Sequence, residues 1–195
     1  YQERGLEVNI IRPKTFLGTG RLGVFEILFE WIAEGRRIPL LGNGKNHYQL
    51  LEVTGLVDGI VKAATAAGVI NETMNIGADR YDTLNEDMQA LFDHAGSGSQ
   101  LWHLPARPGE WALRALELMR LSPLAAWHYG TMWRDSYVEV DKAKRLLGWQ
   151  PEYSNAEALV RAWDWYVENK GRYSTGVTHR VAWQKGALAI VRRIA

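Results

Sequence analysis

The sequence predicts an α/β domain built on parallel strands. Residues 8–11 form a short apolar run with two isoleucines, which is typical of a strand buried on both faces of a parallel sheet. Arg12 and Pro13 are expected to end this strand, because proline has no N–H for a ladder. A glycine-bearing loop follows, and residues 24–34 then carry apolar side chains at helical spacing. Ligands bind beyond the carboxyl ends of such strands, so residues 13–21 are the first candidate site.

The composition is that of a globular chain without strong charge. Its 195 residues are 47% hydrophobic and 23% charged, which is enough for a substantial core. The formal net charge of +1 argues against a polyanionic partner, so we expect no nucleic-acid binding. The absence of cysteine excludes disulfides and thiolate metal sites, and the five histidines show no metal-ligand spacing. We therefore expect no metal site, no membrane span and a cytoplasmic location.

The beginning of the chain indicates a missing neighbour. Residues 1–5 read as the last turn of a helix that ends at Gly5, and a parallel-type strand follows with no earlier strand to pair with. We expect the chain to be the later part of a longer protein. The alternative is a domain with a frayed amino terminus.

Further strands and helices follow from local patterns. Strands are predicted at residues 38–41, 48–53, 73–77 and 100–104. Helices are predicted at residues 56–67, from 84, at 110–120, at 141–147 and from 155, and a further helix is considered from residue 124. Capping boxes at Thr83–Glu86 and Ser154–Glu157 open two of the helices, and Asp141 is expected to cap another. The second helix should direct these side chains inward: Leu56, Ile60, Ala63, Ala64 and Ala67. The last should bury Ala156, Leu159, Val160, Trp163, Tyr166 and Val167.

One motif offers a competing interpretation. Gly18, Gly20 and Gly23 match the G-x-G-x-x-G dinucleotide fingerprint between a strand and a helix. Five residues separate the strand from the first glycine, however, and the next strand ends without an acidic residue for a ribose hydroxyl. We therefore treat this loop as a substrate loop rather than a phosphate-binding one.

Several segments in order carry a family resemblance. IIRPKTFLGTGR at residues 10–21 resembles the strand and loop of the extended short-chain dehydrogenase/reductase family, the NAD-dependent epimerases and dehydratases. Residues 38–44, residues 48–60, MNIG at 74–77 and KRLLGWQP at 144–151 resemble later segments of the same family. The resemblance runs to about Tyr166. It implies the last strands of a Rossmann-type parallel sheet plus the small carboxyl-terminal substrate-binding lobe.

The resemblance also implies what the chain does not contain. The family's cofactor glycine motif and catalytic Tyr-x-x-x-Lys precede the Arg-Pro strand, so we expect both to be lacking and name no catalytic residue. Residues 1–20 would end the cofactor-binding sheet, residues 21–173 would form the substrate-binding lobe with returning sheet elements, and residues 174–195 would be a basic amphipathic tail.

Site residues are carried over from the family by position. Two would pass the nicotinamide end of NAD or NADP by their backbone: Pro13 and Lys14. Six would face the substrate: Thr15, Gly20, Arg21, Gly44, His47 and Arg134. His47 stands where the family often has an arginine for a diphosphate, whereas Arg134 could bind a phosphate through two parallel hydrogen bonds.

The resulting functional hypothesis concerns a longer parent protein. The parent would transfer a hydride transiently between NAD or NADP and a nucleotide-linked sugar, as an epimerase or dehydratase. One alternative is a non-catalytic relative that keeps the fold for binding or regulation. Another is an interaction or weak membrane-surface role of the tail. The sugar, the reaction outcome, NAD versus NADP and a homodimer are left open by the sequence.

Overall fold

The computed structural model describes residues 5–119 and 130–170. In these residues the strands are β1 (Ile10–Pro13), β2 (Thr15–Leu17), β3 (Ile38–Leu41), β4 (Leu50–Glu52), β5 (Thr73–Ile76) and β6 (Leu101–Leu104). The helices are α1 (Phe25–Ala33), α2 (Val53–Thr65), α3 (Leu84–Ala95), α4 (Ala106–Leu118), α5 (Asp141–Leu147) and α6 (Asn155–Asn169). The proposed tail and the helix predicted from residue 124 lie outside the described ranges. None of the helices described here is both long and apolar enough to cross a membrane.

The strands form three parallel pairs, so the prediction of an α/β fold with parallel strands is confirmed. β1 pairs with β5, β2 with β4, and β3 with β6. β1 and β2 are separated only by Lys14, and the chain changes partner there from β5 to β4. The Ala78 N–H donates to the Leu50 carbonyl at 2.7 Å, which joins the first two pairs.

β1 differs from its prediction in both length and burial. It continues through Pro13, and Ile10 is 41% exposed rather than buried. Ile10 and Lys14 donate their N–H groups to carbonyls beside β5 at 2.8 and 2.9 Å, so alternate residues such as Pro13 face away from β5. A proline is tolerated there because its missing N–H is not needed for pairing. In the part of the chain that the structure describes, no strand covers this second edge of β1.

β4 separates two hydrophobic cores. Leu50 packs into a core formed mainly by α1, α3 and α6, while its neighbour Leu51 packs into a core with α2, β5 and α5. Successive residues of a strand point to opposite faces, so these two leucines place β4 between the cores. Both side chains are at most 4% exposed.

α1 and α6 pack through aromatic side chains. α1 lies within the predicted range, and Phe29 is fully buried with its ring centroid 5.8 Å from that of Trp163 in an edge-on arrangement. In α6, Val167 is 51% exposed, so its predicted burial is wrong. The buried stripe is displaced around the helix because Ala158 and Ala162 face α1 and α3 in its place.

α2 presents only part of its predicted face to the core. The helix begins at Val53, and Ala63 and Leu56 pack inward as predicted. Ile60, Ala64 and Ala67 are exposed, and Gly59 faces inward instead. The cause is the fully buried Trp149, whose indole N–H donates to the Gly55 carbonyl at 2.9 Å. A Cβ on Gly59 would lie 3.3 Å from that indole nitrogen, so the helix turns its small residues toward the tryptophan.

The helix ends show which local signals were reliable. Both capping boxes, Thr83–Glu86 and Ser154–Glu157, are formed. Met88, Leu91 and Phe92, which share one face of α3, are buried. Asp141 does not cap α5, because it is already the first helical residue. α4 begins at Ala106, four residues before the predicted start.

A buried amide joins β4 to two helices. The Asn155 Oδ1 accepts from the Leu50 N–H at 2.7 Å, and its Nδ2 donates to the Tyr48 carbonyl and to the Asp87 carboxylate, both at 2.8 Å. Asn155 is 1% exposed, so none of these groups has water as an alternative partner.

We expect Asn155→Ala to destabilise the fold. Removing the amide leaves three buried polar groups without this partner, one of them a carboxylate, so the loss should be about 3 kcal/mol in the free energy of unfolding. Urea denaturation measures it. Asn169→Ala is the matched control, because among the described residues that side chain bonds only the Trp165 carbonyl near the end of α6. Equal losses in both variants would contradict the role of Asn155.

Asp87 should make stability depend on pH. Burial raises the pKa of Asp87 above its ordinary value of 3.8, against the opposing effect of the Asn155 hydrogen bond. A carboxyl with a raised folded-state pKa stabilises most below the unfolded-state pKa, and this stability is lost as the pH rises through the folded value. Asp87→Asn should therefore flatten the decrease in unfolding free energy above pH 3.8, measured by urea titration between pH 3 and 7. Asp93→Asn, on the exposed face of α3, should keep the wild-type slope, and an unchanged slope in Asp87→Asn would refute the assignment.

Candidate functional site

The candidate site is centred on Lys14, where β1 and β2 part toward different partners. The half-buried Lys14 side chain donates from Nζ to Ser136 Oγ at 2.7 Å, and its Nζ lies 5.5 Å from the centroid of the Tyr48 ring. Burial lowers the pKa of Lys14, because the charged ammonium loses hydration there. The exposed Pro13 lies one residue before it, at the carboxyl end of β1.

Thr15 lies beside a residue that the sequence analysis did not single out. Its hydroxyl is 3.0 Å from the Tyr48 hydroxyl, so the two side chains form a hydrogen-bonded pair. Tyr48 precedes β4, and its carbonyl is bound by the Asn155 amide. The tyrosine therefore enters the site from a rigid, buried segment.

Gly20 and Arg21 belong to a tight turn between β2 and α1. Gly18 and Arg21 exchange backbone hydrogen bonds of 3.0 and 3.1 Å, and Gly20 has the positive φ of 74° that such a turn favours. The Arg21 guanidinium folds back to 5.3 Å from the Phe16 ring centroid. The N-cap of α1 is Val24, immediately after Gly23, so the chain passes from this turn into the helix.

Glu52 lies beneath this turn. Its side chain is 2% exposed, and its Oε2 accepts from the Thr54 N–H at 2.6 Å, which caps α2. A Cβ on Gly18 would lie 2.7 Å from the other oxygen, Oε1, so only glycine fits above it. The Arg161 Nε is 4.0 Å from Oε1 and balances the buried charge.

Two segments far apart in the sequence carry His47 and Arg134. The Asn46 side chain donates to the carbonyls of Met132 and Arg134, both at 3.1 Å. The His47 N–H donates to the Asp135 carboxylate at 2.9 Å, and the Ser136 N–H donates to the His47 carbonyl at 2.8 Å. The structure thus brings together the two segments that the sequence named separately.

The two side chains on these segments point to different surroundings. The His47 ring packs edge-on against Tyr81 with 6.1 Å between centroids, and its Nδ1 is 3.6 Å from Asp135. The exposed Arg134 guanidinium lies 4.4 Å from the Trp133 ring centroid, which leaves its hydrogen-bonding edge at the surface. Arg134 is therefore available to an anionic ligand.

Gly44 is buried and positions the loop that precedes His47. It has a positive φ of 67°, and a Cβ there would lie 1.8 Å from Asn85 Oδ1. Asn85 donates from Nδ2 to the Asn43 carbonyl at 2.9 Å, and its Oδ1 is 3.0 Å from His103 Nε2. Packing against Asn85 therefore requires glycine at position 44, whether or not a substrate binds there.

A Tyr-x-x-x-Lys spacing does occur in the chain, which corrects the expectation that it is lacking. It is formed by Tyr166 and Lys170 at the end of α6. Tyr166 packs against Phe29 and Trp163 in the core, and burial, with Glu30 adding to it, raises the pKa of Tyr166 to about 12. A catalytic acid/base needs a pKa near the working pH, so this pair does not supply one.

The residues that sequence reasoning missed are Tyr48, Asn85 and Ser136. The sequence could have indicated Tyr48 as a site residue, because it lies just before strand β4, two residues from the buried Leu50. The others act through contacts across 42 to 122 residues of chain, for which no local signal exists. No group of three or more metal-ligating His, Asp or Glu side chains occurs within the described ranges.

Comparison with known proteins places this geometry in a family. Residues 1–77 match the model of the NAD dependent epimerase/dehydratase family. The uncharacterized protein y4nG of Sinorhizobium fredii is 37% identical over 175 residues, which are 90% of this chain and 44% of that protein. This chain spans about half the length of the curated relatives that it matches.

Solved structures with the same fold include two sugar-nucleotide epimerases. The UDP-glucose 4-epimerase of Thermotoga maritima, determined with UDP-glucose, has a TM-score of 0.65 and 23% identity over 86% of this chain and 48% of its own. The UDP-glucuronic acid 4-epimerase of Bacillus cereus, determined with NAD, has a TM-score of 0.64 and 17% identity over 86% of this chain and 47% of its own. These likenesses show a Rossmann-like α/β fold.

We expect Gly44→Ala to destabilise the fold more than the same substitution at Gly68, a glycine of similar φ. Both Gly44→Ala and Gly68→Ala incur the cost of a positive φ, but a Cβ on Gly68 has nothing within 4 Å. Displacing Asn85 breaks its hydrogen bonds, so Gly44→Ala should cost about 1–2 kcal/mol more than Gly68→Ala. Thermal and urea unfolding measure the difference. If adding Asn85→Ala does not reduce the cost of Gly44→Ala, the Asn85 contact is not the cause.

Proposed function

Because this chain belongs to the NAD-dependent epimerase/dehydratase family, we propose that it is the carboxyl-terminal, substrate-binding portion of an NAD(P)-dependent enzyme that acts on a nucleotide-linked sugar. Residues 1–20 would complete the cofactor-binding sheet and residues 21–173 the substrate-binding lobe. The parent protein would work in the cytoplasm and bind no nucleic acid.

The observation that supports the proposal most is the change of strand partner at Lys14. Two parallel pairs diverge there, beyond the carboxyl end of β1, which is where ligands bind in open α/β sheets. Lys14, Thr15, Tyr48 and Ser136 place an ammonium and three hydroxyls at this point. Such a group can hold and orient a polyhydroxylated ligand through hydrogen bonds.

Of the two ends of NAD or NADP, the described residues suit the nicotinamide end. Pro13 is exposed at the end of β1, beside a strand edge that the described residues leave uncovered, so its backbone can border a flat ring. The glycine loop of residues 18–23 runs into α1, but the buried side chain of Glu52 lies directly beneath its first glycine, Gly18, and an acidic group there disfavours a diphosphate. NAD or NADP, when bound, supplies a reversible hydride acceptor. Pro13 and Lys14 would border its nicotinamide end.

The chain's own residues would divide the work of holding the substrate. Thr15, with Tyr48, would donate and accept hydrogen bonds near the reacting sugar. The turn of Gly20 and Arg21 would border it, and the loop of Gly44 and His47 would close over the far end. Arg134 would bind a phosphate, since its exposed guanidinium remains charged and presents parallel donors.

The alternative is a non-catalytic protein of the same fold. It is favoured by Glu52, whose buried side chain caps α2 rather than facing a ligand. A homodimer, and weak membrane contact by residues 174–195, stay open proposals beside either function.

Arg134 provides the test of the proposed function. In the parent protein with NAD, conversion of UDP-glucose or UDP-glucuronate, followed by chromatography of the sugar nucleotides, should show a KM about tenfold higher for Arg134→Ala, from the loss of a charge-assisted hydrogen bond. His47→Ala should have a smaller effect. Arg145→Ala, an exposed arginine on α5, is the matched control and should leave KM unchanged.

Two outcomes would contradict this assignment. An unchanged KM in Arg134→Ala would remove the arginine from the site. A parent protein that binds NAD but converts no sugar nucleotide would refute the catalytic proposal and favour the binding protein.

A further inference from the structure

The side chain of Lys14 carries a charge that its neighbours do not neutralise. Its Nζ donates to the Ser136 hydroxyl at 2.7 Å and lies 5.5 Å from the centroid of the Tyr48 ring, and both of these groups are neutral. In the part of the chain that the structure describes, no carboxylate forms an ion pair with this ammonium. The side chain is also partly buried, and burial lowers the pKa of Lys14 with no carboxylate to oppose it.

The other lysines between residues 5 and 119 or 130 and 170 are arranged differently. Three of them pair with a carboxylate at distances of 2.7 to 3.0 Å: Lys62, Lys142 and Lys144. The remaining two, Lys45 and Lys170, are exposed to water. Charged groups that lose hydration are normally paired, so the position of Lys14 favours an anion supplied by a ligand.

Hydrogen-bond donors converge at this ammonium. An ammonium has three N–H donors, and the bond to Ser136 uses one of them. The Ser136 hydroxyl accepts that bond and keeps its own hydrogen for a ligand. Ser136 is held firmly, because its N–H donates to the His47 carbonyl at 2.8 Å and its carbonyl accepts from the Gln49 N–H at 3.0 Å. A carboxylate has the charge and the two acceptor oxygens that these donors require.

These donors lie beside the residue to which the sugar is assigned. Thr15 follows Lys14 in the chain, and its hydroxyl is 3.0 Å from the hydroxyl of Tyr48. The ring of the same tyrosine is the one that the Lys14 ammonium approaches. A sugar held at Thr15 would therefore present its substituents to Lys14.

We propose that the Lys14 ammonium, with the Ser136 hydroxyl, binds a carboxylate on the sugar held at Thr15, so that the site selects acidic sugars over neutral ones. The inference rests on the proposed function, which assigns the sugar to Thr15. The diphosphate is the other anion of a sugar nucleotide, and the proposed function assigns it to Arg134. Lys14 lies between Pro13, at the nicotinamide end, and Thr15, so it is placed at the reacting sugar.

Calorimetry with two sugar nucleotides tests the proposal. UDP-glucuronate carries a carboxylate where UDP-glucose carries a hydroxymethyl group, and the two are otherwise the same. The parent protein loaded with NAD should bind UDP-glucuronate about tenfold more tightly than UDP-glucose, because a charge-assisted hydrogen bond is added. Lys14→Met, which keeps the length of the side chain and removes the charge, should weaken UDP-glucuronate binding about tenfold to hundredfold. Its affinity for UDP-glucose should be unchanged.

Two further variants locate the effect. Lys170→Met is the matched control, because Lys170 is exposed and its Nζ lies 5.9 Å from the centroid of another tyrosine ring, that of Tyr166. It should bind both sugar nucleotides as the wild type does. Ser136→Ala should weaken UDP-glucuronate binding about threefold to tenfold, since a neutral donor is lost. If circular dichroism shows that Lys14→Met does not fold, Lys14→Gln is the second uncharged variant.

A measurement without substrate tests whether the ammonium is unpaired in the whole protein. Removing a partly buried charge that has no counterion should leave the melting temperature of the parent protein equal or higher in Lys14→Met. A lower melting temperature would mean that a carboxylate elsewhere in the parent already pairs with Lys14. That result would overturn the proposal.

The binding results separate this proposal from the proposed function. Equal affinity of the wild type for both sugar nucleotides, or unchanged binding of UDP-glucuronate by folded Lys14→Met, would refute the carboxylate site and leave the proposed function standing. Equal weakening of both sugar nucleotides in Lys14→Met would show that Lys14 binds the diphosphate they share, which also refutes the carboxylate site. Binding of neither by the folded parent would refute the proposed function together with this inference.

Discussion

The structure depends on the buried amide of Asn155 at the start of β4. A strand held between two cores needs its last unpaired backbone groups satisfied where water is excluded, and this side chain does so with both its donor and its acceptor. No charged side chain could accept from Leu50 and donate to Tyr48 at once. The same amide fixes Tyr48 at the edge of the candidate site. Folding of the cores and placement of the site thus share one contact.

A second constraint acts through volume rather than hydrogen bonding. Trp149 is fully buried, and α2 can approach it only where its residues are small, at Gly55 and Gly59. The helix therefore turns its branched side chains, including Val57 and Ile60, outward. Local amphipathicity correctly predicted Leu56 and Ala63 on the inner face but also placed Ile60 and Ala64 there, because a sequence pattern contains no information about which neighbour supplies the volume.

Local sequence patterns were sufficient to predict most helices and strands, but they predicted few of the contacts in the candidate site. The capping boxes at Thr83 and Ser154 are satisfied within four residues, so their sequence contains the whole interaction. Short apolar runs also predicted β1, β3, β4, β5 and β6, whereas β2 lies in the stretch that was predicted as a loop. By contrast, the contact of His47 with Asp135 crosses 88 residues, and that of Lys14 with Ser136 crosses 122. The resemblance to a family named Lys14 and Arg134, yet it could not place Tyr48 or Ser136 beside them.

Adjacent residues at the end of β1 face in different directions. This alternation explains how the proposed cofactor and substrate could meet there. The parity of the strand turns Pro13 toward the uncovered edge and Lys14 toward β5. The next residue, Thr15, pairs with β4 and turns its hydroxyl to Tyr48. Three consecutive residues thus face an open strand edge, a partner strand and the hydroxyl of Tyr48. The pairing of β1 with β5 therefore leaves the backbone of Pro13, and not that of Lys14, on the uncovered edge.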